Sequence, residues 1–271
     1  MSTLCLTLRE PPAQRVDLSP LIPDRLTGKA AADIGAMELP CGNRRLRVDD
    51  LFTLNGTFAG EIEFAETSGK LDRIGAGMSH GRITVRGHAG AYVGAEMRGG
   101  IIEVHGSVGA YAACKMQGGL LHIRRDAGDL LGAGLPGDHR GLRGGTVVVG
   151  RNAGARAGDR MRRGMVLIEG NVGDYCGSRM IAGTIAVAGG VGAFPGMAMR
   201  RGTLLVEQAP PELVATFQDC GEYAHAFLTL LVRSWRGLPG RFGKLPEGRV
   251  RARRYMGDLA NDGRGEILVW V

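Results

Sequence analysis

Between residues 81 and 206 the chain repeats one pattern of apolar and polar positions at a fixed interval. Gly81-Arg-Ile-Thr-Val-Arg-Gly87, Gly100-Ile-Ile-Glu-Val-His-Gly106, Gly164-Met-Val-Leu-Ile-Glu-Gly170 and Gly183-Thr-Ile-Ala-Val-Ala-Gly189 are variants of it. The leading glycine falls at 81, 100, 119, 145, 164, 183 and 202, so every step is 19 residues except one of 26. A single seven-residue insertion therefore sits between 119 and 145, near residues 132–142. Met78 lies 19 residues before Met97, which starts the register at about residue 60. A fixed period of this length marks a stacked architecture, in which each unit buries its apolar face only against its neighbours.

Alternation within the unit identifies the element. Ile83, Ile102, Leu121, Val147, Val166, Ile185 and Leu204 form one column. Val85, Val104, Ile123, Val149, Ile168, Val187 and Val206 form a second, two residues on. A spacing of two puts both columns on the same face of a strand. The expected fold is mainly β: a right-handed parallel β-helix of 19-residue coils, with glycines at the corners. A strand-rich N-terminal cap is expected over 1–58, with alternation at Leu4, Leu6 and Leu8 and a turn at Gly42-Asn43. The coils, seven or so, run over 59–208. A C-terminal segment over 209–271 holds a helix, a loop and a final strand. In that segment, apolar residues recur at three and four between Glu212 and Trp235, the period of an amphipathic helix, interrupted near Gly221. Residues 237–254 read as loop and Gly265–Val271 as strand.

The residue between the two columns points outward. It is Thr84, Glu103 and His122 in early coils, but Val148, Leu167, Ala186 and Leu205 in late ones. An outward apolar stripe is covered in a folded protein. The cover is either the chain's own C-terminal segment or another subunit.

Composition supports corners and an aliphatic core: 46 of 271 residues are glycine and only 5% are aromatic. The five cysteines (5, 41, 114, 176, 220) are scattered, form no CxxC pair and follow no signal-like N-terminus, which reads as reduced thiols in a cytoplasmic protein. No apolar run approaches the ~20 residues needed to cross a bilayer. Net charge is +7, carried mostly by arginine. Nucleic acid is disfavoured as a partner because no aromatic residues interleave with the basic ones.

Candidate chemistry is sparse. The six histidines form no HxH, HExxH or Cys/His cluster and occupy different registers, so they read as isolated surface residues, and no metal site is assigned. No catalytic residue is assigned either. Gly132-Ala-Gly134-Leu-Pro-Gly137 matches GxGxxG, yet it lies in the insertion, contains Pro136 and precedes no helix, so dinucleotide binding is set aside. The arginines are more ordered. Arg98, Arg143, Arg162 and Arg200 share one register, Lys115, Arg160 and Arg179 another, and Arg163 and Arg201 adjoin the first. One reading is a solvated ridge partly neutralised by Asp159, Asp174 and Glu169. The other is a docking strip for a polycarboxylate or an acidic subunit, carried by Arg143, Arg160, Arg162, Arg163, Arg179, Arg200 and Arg201, since guanidinium forks suit carboxylates.

The blocks Gly144-Gly-Thr-Val-Val-Val-Gly-Arg-Asn-Ala-Gly154, Asp159-Arg-Met-Arg-Arg-Gly164 and Arg179-Met-Ile-Ala-Gly-Thr-Ile185 resemble the C-subunit family of formylmethanofuran dehydrogenase. The insertion and the ending Arg254-Tyr-Met-Gly-Asp-Leu-Ala-Asn-Asp-Gly-Arg-Gly-Glu-Ile-Leu-Val269 fit it too, so the resemblance runs from about residue 35 to the C-terminus. The repeat alone is shared with the C-terminal domain of the glutamate synthase large subunit, which keeps a glutamate synthase-like structural module open. The resemblance implies a non-catalytic scaffold subunit in one of two settings. One is an archaeal tungsten or molybdenum formylmethanofuran dehydrogenase. The other is a bacterial formyltransferase/hydrolase complex of one-carbon metabolism, which passes a formyl group from tetrahydromethanopterin to a methanofuran-type coenzyme and releases formate. Arginine-rich composition leans towards the second. Implied partners are an amidohydrolase-like subunit, a formyltransferase subunit and a further subunit in a hetero-oligomer. The coenzyme and a metal in another subunit are implied for the complex, and no cofactor for this chain. The coenzyme's acidic tail would give the arginine strip a ligand.

Overall fold

The computed structural model describes residues 3–271. Its main feature is a 13-stranded sheet. The strands Arg82–Val85, Ile101–Val104, Leu120–Ile123, Thr146–Val149, Met165–Ile168, Thr184–Val187 and Thr203–Val206 pair in parallel, each with the next. Ile83 faces Ile102, which faces Leu121, and the register continues unbroken through Val147, Val166 and Ile185 to Leu204. A second line of parallel bridges joins Val108, Ala127, Ala153, Val172 and Val191. Along much of the stack each unit thus touches the next through two backbone ladders.

Both aliphatic columns are buried. A further buried column runs Met78, Met97, Met116, Leu142, Met161, Met180 and Met199. Leu142 takes the methionine's place in the long unit: Arg143 N–H donates to the Met116 carbonyl (2.7 Å) and Arg162 N–H to the Leu142 carbonyl (2.8 Å). The extra residues therefore lie between Gly132 and Leu142. Corner geometry explains the leading glycines. At Gly119 φ is +85°, and a Cβ would lie 2.7 Å from the Gly100 carbonyl oxygen of the preceding unit. Only a residue without Cβ meets both conditions cheaply.

Additional strands close both ends. Leu4–Leu8 pairs in parallel with Glu61–Ala65 and antiparallel with Phe52–Asn55, so Leu4 and Leu6 extend the columns through Ile62 and Phe64. A hairpin of Glu38–Cys41 and Arg44–Arg47 turns at Gly42-Asn43. At the opposite end Gly265–Trp270 pairs in parallel with Thr203–Val206, and Arg251–Gly257 and Gln218–Ala224 follow antiparallel. No helix among the described residues is long and apolar enough to cross a membrane.

The outward stripe is covered by the chain itself. Val148, Leu167, Ala186 and Leu205 are fully buried in a second cluster with Leu228, Val232, Trp235, Phe242 and Trp270. Trp235 stands edge-on to Phe242 and Trp270, with ring centroids 5.3 and 6.3 Å away.

The helix expected between Glu212 and Trp235 is shorter than its sequence period suggests. Only Phe227–Ser234 is helical, and Gln218–Ala224 is a strand. Its partner Arg251–Gly257 lies partly in the stretch expected as loop, where a 3-10 turn also occupies Phe242–Lys244. The period of three and four merges residues that serve two surfaces. Leu213 and Phe217 pack on the main core, while Leu228, Leu231, Val232 and Trp235 pack on the outer stripe. Between them the sheet offers an open edge, and the diagonal cross-strand ion pairs Arg253–Asp219 and Arg251–Glu222 (2.8 Å) accompany the pairing.

Candidate docking surface

Among the described residues no group of three or more His, Cys, Asp or Glu is placed to hold a metal ion. The histidines are not all on the surface, which corrects the expectation. His225 is buried beside Tyr223 and Phe227, and His122 is half-buried next to the covered stripe. His122 and His105 both lie near the Glu103 carboxylate, which also accepts 2.6 and 2.9 Å hydrogen bonds from Arg124. Burial lowers both imidazole pKa values, and Arg124 adds to the effect at His105.

The GxGxxG stretch precedes no helix, and the insertion that contains it is held down. Lys115 Nζ sits 3.0 Å from Glu96 and 3.1 Å from Asp138. Arg160 donates to the Asp138 carbonyl, and Gly141 N–H donates to the Arg160 carbonyl at 2.8 Å. Hydrogen bonds to Glu96 and Asp138 raise the Lys115 pKa, so the clamp is charged.

The seven arginines expected to form one strip divide by partnership. Arg143 and Arg162 hold this register on adjacent units, Ile181 takes it on the next and Arg200 on the one after, with Arg163 and Arg201 beside Arg162 and Arg200; among the described residues none of the five makes an ion pair. Arg162, Arg163, Arg200 and Arg201 are exposed, whereas Arg143 is half-buried and its Nε finds no protein partner. The acids expected to neutralise them are used elsewhere. Asp174 accepts the Ala193 N–H at 2.8 Å, and Glu169 accepts the Arg241 N–H. Arg264 extends this edge: Glu266 pairs with Thr203, which sets Arg264 opposite Arg201. Sequence reading misses Arg264 because it lies outside the 19-residue run. The signal is there, since Arg264-Gly265 repeats Arg163-Gly164 and Arg201-Gly202 at the start of a strand. Arg200, Arg201 and Arg264 line an open cavity of about 630 Å³ together with Leu259, Asp262 and Gly263. Arg143 with Arg162, and Arg201 with Arg264, stand on adjacent rungs ~4.8 Å apart, where like charges repel by about 1 kcal/mol per pair in water, while an uncharged rung separates Arg162 from Arg200.

Arg160 and Arg179 turn the other way, into a trench beside this edge. Asp159, 3% exposed, accepts from Arg179 Nε (2.9 Å) and Nη2 (2.7 Å) and from Ser178 Oγ (2.7 Å). The opposite wall is a column of left-handed residues: Tyr92, Tyr111, Leu130, Arg156, Tyr175 and Phe194 all have φ between 53° and 61°. Tyr92 stacks on Tyr111 at 5.2 Å and Tyr175 on Phe194 at 5.7 Å. Arg156 lies 5.2 Å over the Tyr175 ring.

No family model matches the chain. It is 40% identical over 90 residues to the C-subunit of the formyltransferase/hydrolase complex Fhc of Methylorubrum extorquens, a stretch covering 33% of each protein. It is 29% identical over 95 residues to the C-subunit of the tungsten-containing formylmethanofuran dehydrogenase 2 of Methanococcus maripaludis, covering 34% of this chain and 35% of that one. These alignments span about a third of each curated relative. The structural likeness is longer. A chain in the crystal structure of the formyltransferase/hydrolase complex FhcABCD from Methylorubrum extorquens, in complex with methylofuran, superposes with a TM-score of 0.92 at 38% identity. That match covers 98% of this chain and 99% of that one.

Proposed function

Because the chain belongs to the C-subunit family of formyltransferase/hydrolase complexes, we propose that it is the non-catalytic scaffold of such a complex. In this reading it winds as a right-handed parallel β-helix whose filled interior makes it a stiff rod on which other subunits assemble. The complex would transfer a formyl group from formyl-tetrahydromethanopterin to a methanofuran-type coenzyme and release formate. Its metal would reside in an amidohydrolase-like partner, its transferase chemistry in a formyltransferase subunit, and the assembly would work in the cytoplasm. The observation that carries the proposal is the end-to-end match, without large insertion or truncation, to a chain of the FhcABCD complex.

The edge formed by Arg143, Arg162, Arg163, Arg200 and Arg201, with Arg264 added, would dock a polycarboxylate: an acidic subunit surface or the coenzyme's acidic tail. It is free to do so because, among the described residues, its guanidinium groups pair with no acid. Arg160 and Arg179 leave this proposal, since they face the trench and Arg179 is already engaged by Asp159.

The test is the native mass of the complex recovered from the host with this chain as bait, each subunit being identified. Amidohydrolase-like and formyltransferase partners without tungsten or molybdenum are expected. A tungsten or molybdenum iron–sulfur partner would transfer the chain to a dehydrogenase, and a monomer would sink the scaffold reading. Reversing Arg162, Arg163, Arg200 and Arg201 to Glu tests the edge. Unchanged assembly and unchanged coenzyme content would remove its docking role.

A further inference from the structure

We infer that the trench between the tyrosine column and Arg160 is a second interface, one that receives an extended acidic peptide segment of another subunit. The inference rests on the reading of the chain as part of a larger assembly. Three cavities of about 130, 360 and 250 Å³ follow one another along the stack, the first two lined in part by the insertion. The first two share Leu135 and the last two share Arg156 and Arg179, so they form one linear depression. A linear depression running across stacked rungs fits an extended peptide rather than a compact ligand.

Its lining has the composition of a protein-interface core: Tyr111, Tyr175, Arg156, Arg160, Met197 and Pro136. Tyrosine, arginine and methionine are residue types enriched at the centres of such interfaces. Met197 is 44% exposed, a large apolar side chain left open in this chain alone. The charge selects the partner. The acids that line it are already paired, Asp159 with Arg179 and Glu96 with Lys115, while Arg156 and Arg160 make no ion pair among the described residues. Arg156 is thereby left for an incoming carboxylate and is already oriented by stacking on Tyr175, and Arg160, which spends one N–H on the Asp138 carbonyl, keeps its remaining donors.

The insertion supplies the third wall. Its seven extra residues are tied by Lys115–Asp138 and by Arg160 to the Asp138 carbonyl, so they are not a loose loop. They hold Leu135 and Pro136 over the trench, and that placement gives the insertion a role that stacking alone does not require.

The experiment uses the assembled complex with p-benzoylphenylalanine replacing Leu135, photolysis, and mass spectrometric identification of the adduct. A cross-link to a partner's stretch with Asp or Glu on both sides of the adduct supports the inference. A cross-link confined to this chain, or to a partner stretch without carboxylates, overturns it. Arg156→Glu gives the independent readout, because the Arg156 side chain contributes only its ring contact to the fold. The dissociation constant of that subunit should rise at least tenfold with the melting midpoint unchanged, and an unchanged dissociation constant would refute the site. A wild-type chain that forms no complex would instead overturn the assembly reading itself, whereas an intact complex with an open trench overturns only this interface.

Discussion

Trp235 is fully buried in the cluster that covers the outward stripe, and truncating it tests whether the C-terminal segment is integral to the stack of strands. Its side chain is fully buried, between Phe242 and Trp270 and in one cluster with Leu205 and its neighbours. A buried Trp→Ala change costs about 3–5 kcal/mol, including about 0.5–1.5 kcal/mol for each edge-on ring pair. One factor reduces the loss: the indole Nε1 is buried and finds no protein acceptor, and removing an unsatisfied donor returns about 1 kcal/mol. The net expectation for Trp235→Ala is therefore about 2–4 kcal/mol. Trp235→Phe keeps an aromatic ring and drops the orphan N–H but leaves a smaller cavity, so it should cost less than Trp235→Ala. Stacked units need not unfold in one step, so hydrogen exchange resolved by residue is the appropriate assay. In Trp235→Ala, protection across 227–235 should fall on the order of 30- to 1,000-fold, at 1.4 kcal/mol per tenfold. Protection in Arg82–Val85 and Ile101–Val104 should not change, because those strands carry polar outward residues and no cover. Dye binding to exposed apolar surface should rise in parallel. Equal loss in every strand, or no loss at all, would refute the reasoning and return the cover of the stripe to another subunit.

Arg179→Met should cost about 1–3 kcal/mol, because it strands the Asp159 carboxylate, 4% exposed; the figure lies below that for a fully buried pair because Arg179 is itself 41% exposed. Arg160→Met should stay within about 1 kcal/mol, and urea midpoints for the two variants check the contrast. His105 and His122 are held below the ordinary histidine value, so the folded state binds fewer protons than the unfolded one as pH falls through the histidine range. Stability should therefore decline from about pH 7.5 to about pH 5.5, and His122→Gln should flatten the slope; equal midpoints at the two pH values would contradict this. Burial pushes the Cys114 and Cys176 thiols up to about 12, whereas Cys220 is exposed. A thiol reagent should modify Cys220 quickly in the native protein, and alkylation of Cys114 before unfolding would contradict the burial.

The parts of this molecule that are legible in its sequence are those that stay in register. Ile83 and Val85 predict their neighbours Ile102 and Val104 because a two-residue alternation repeated every 19 residues has one stacked solution, and the structure pairs them so. Even polar contacts follow the period: Ser178 lies 19 residues after Asp159, and Arg179 lies 20 after it. The tyrosine column is equally open to reading, since Tyr92 and Tyr111 are 19 apart, as are Arg156, Tyr175 and Phe194. What resists reading is chain that leaves the register and returns. The strand Gln218–Ala224 is set by a partner more than 25 residues away, and its flanking apolar residues imitate a helical period while serving two different surfaces. Whether a stacked arginine is free also depends on such excursions. Arg160 is drawn aside by the insertion and Arg179 by Asp159, while Arg162 and Arg200, one column over, are left unpaired. Repetition builds the stack of parallel strands and gives its units similar surfaces. The insertion and the C-terminal return make one unit differ from the next, so specific recognition has to be sought where they cross the stack.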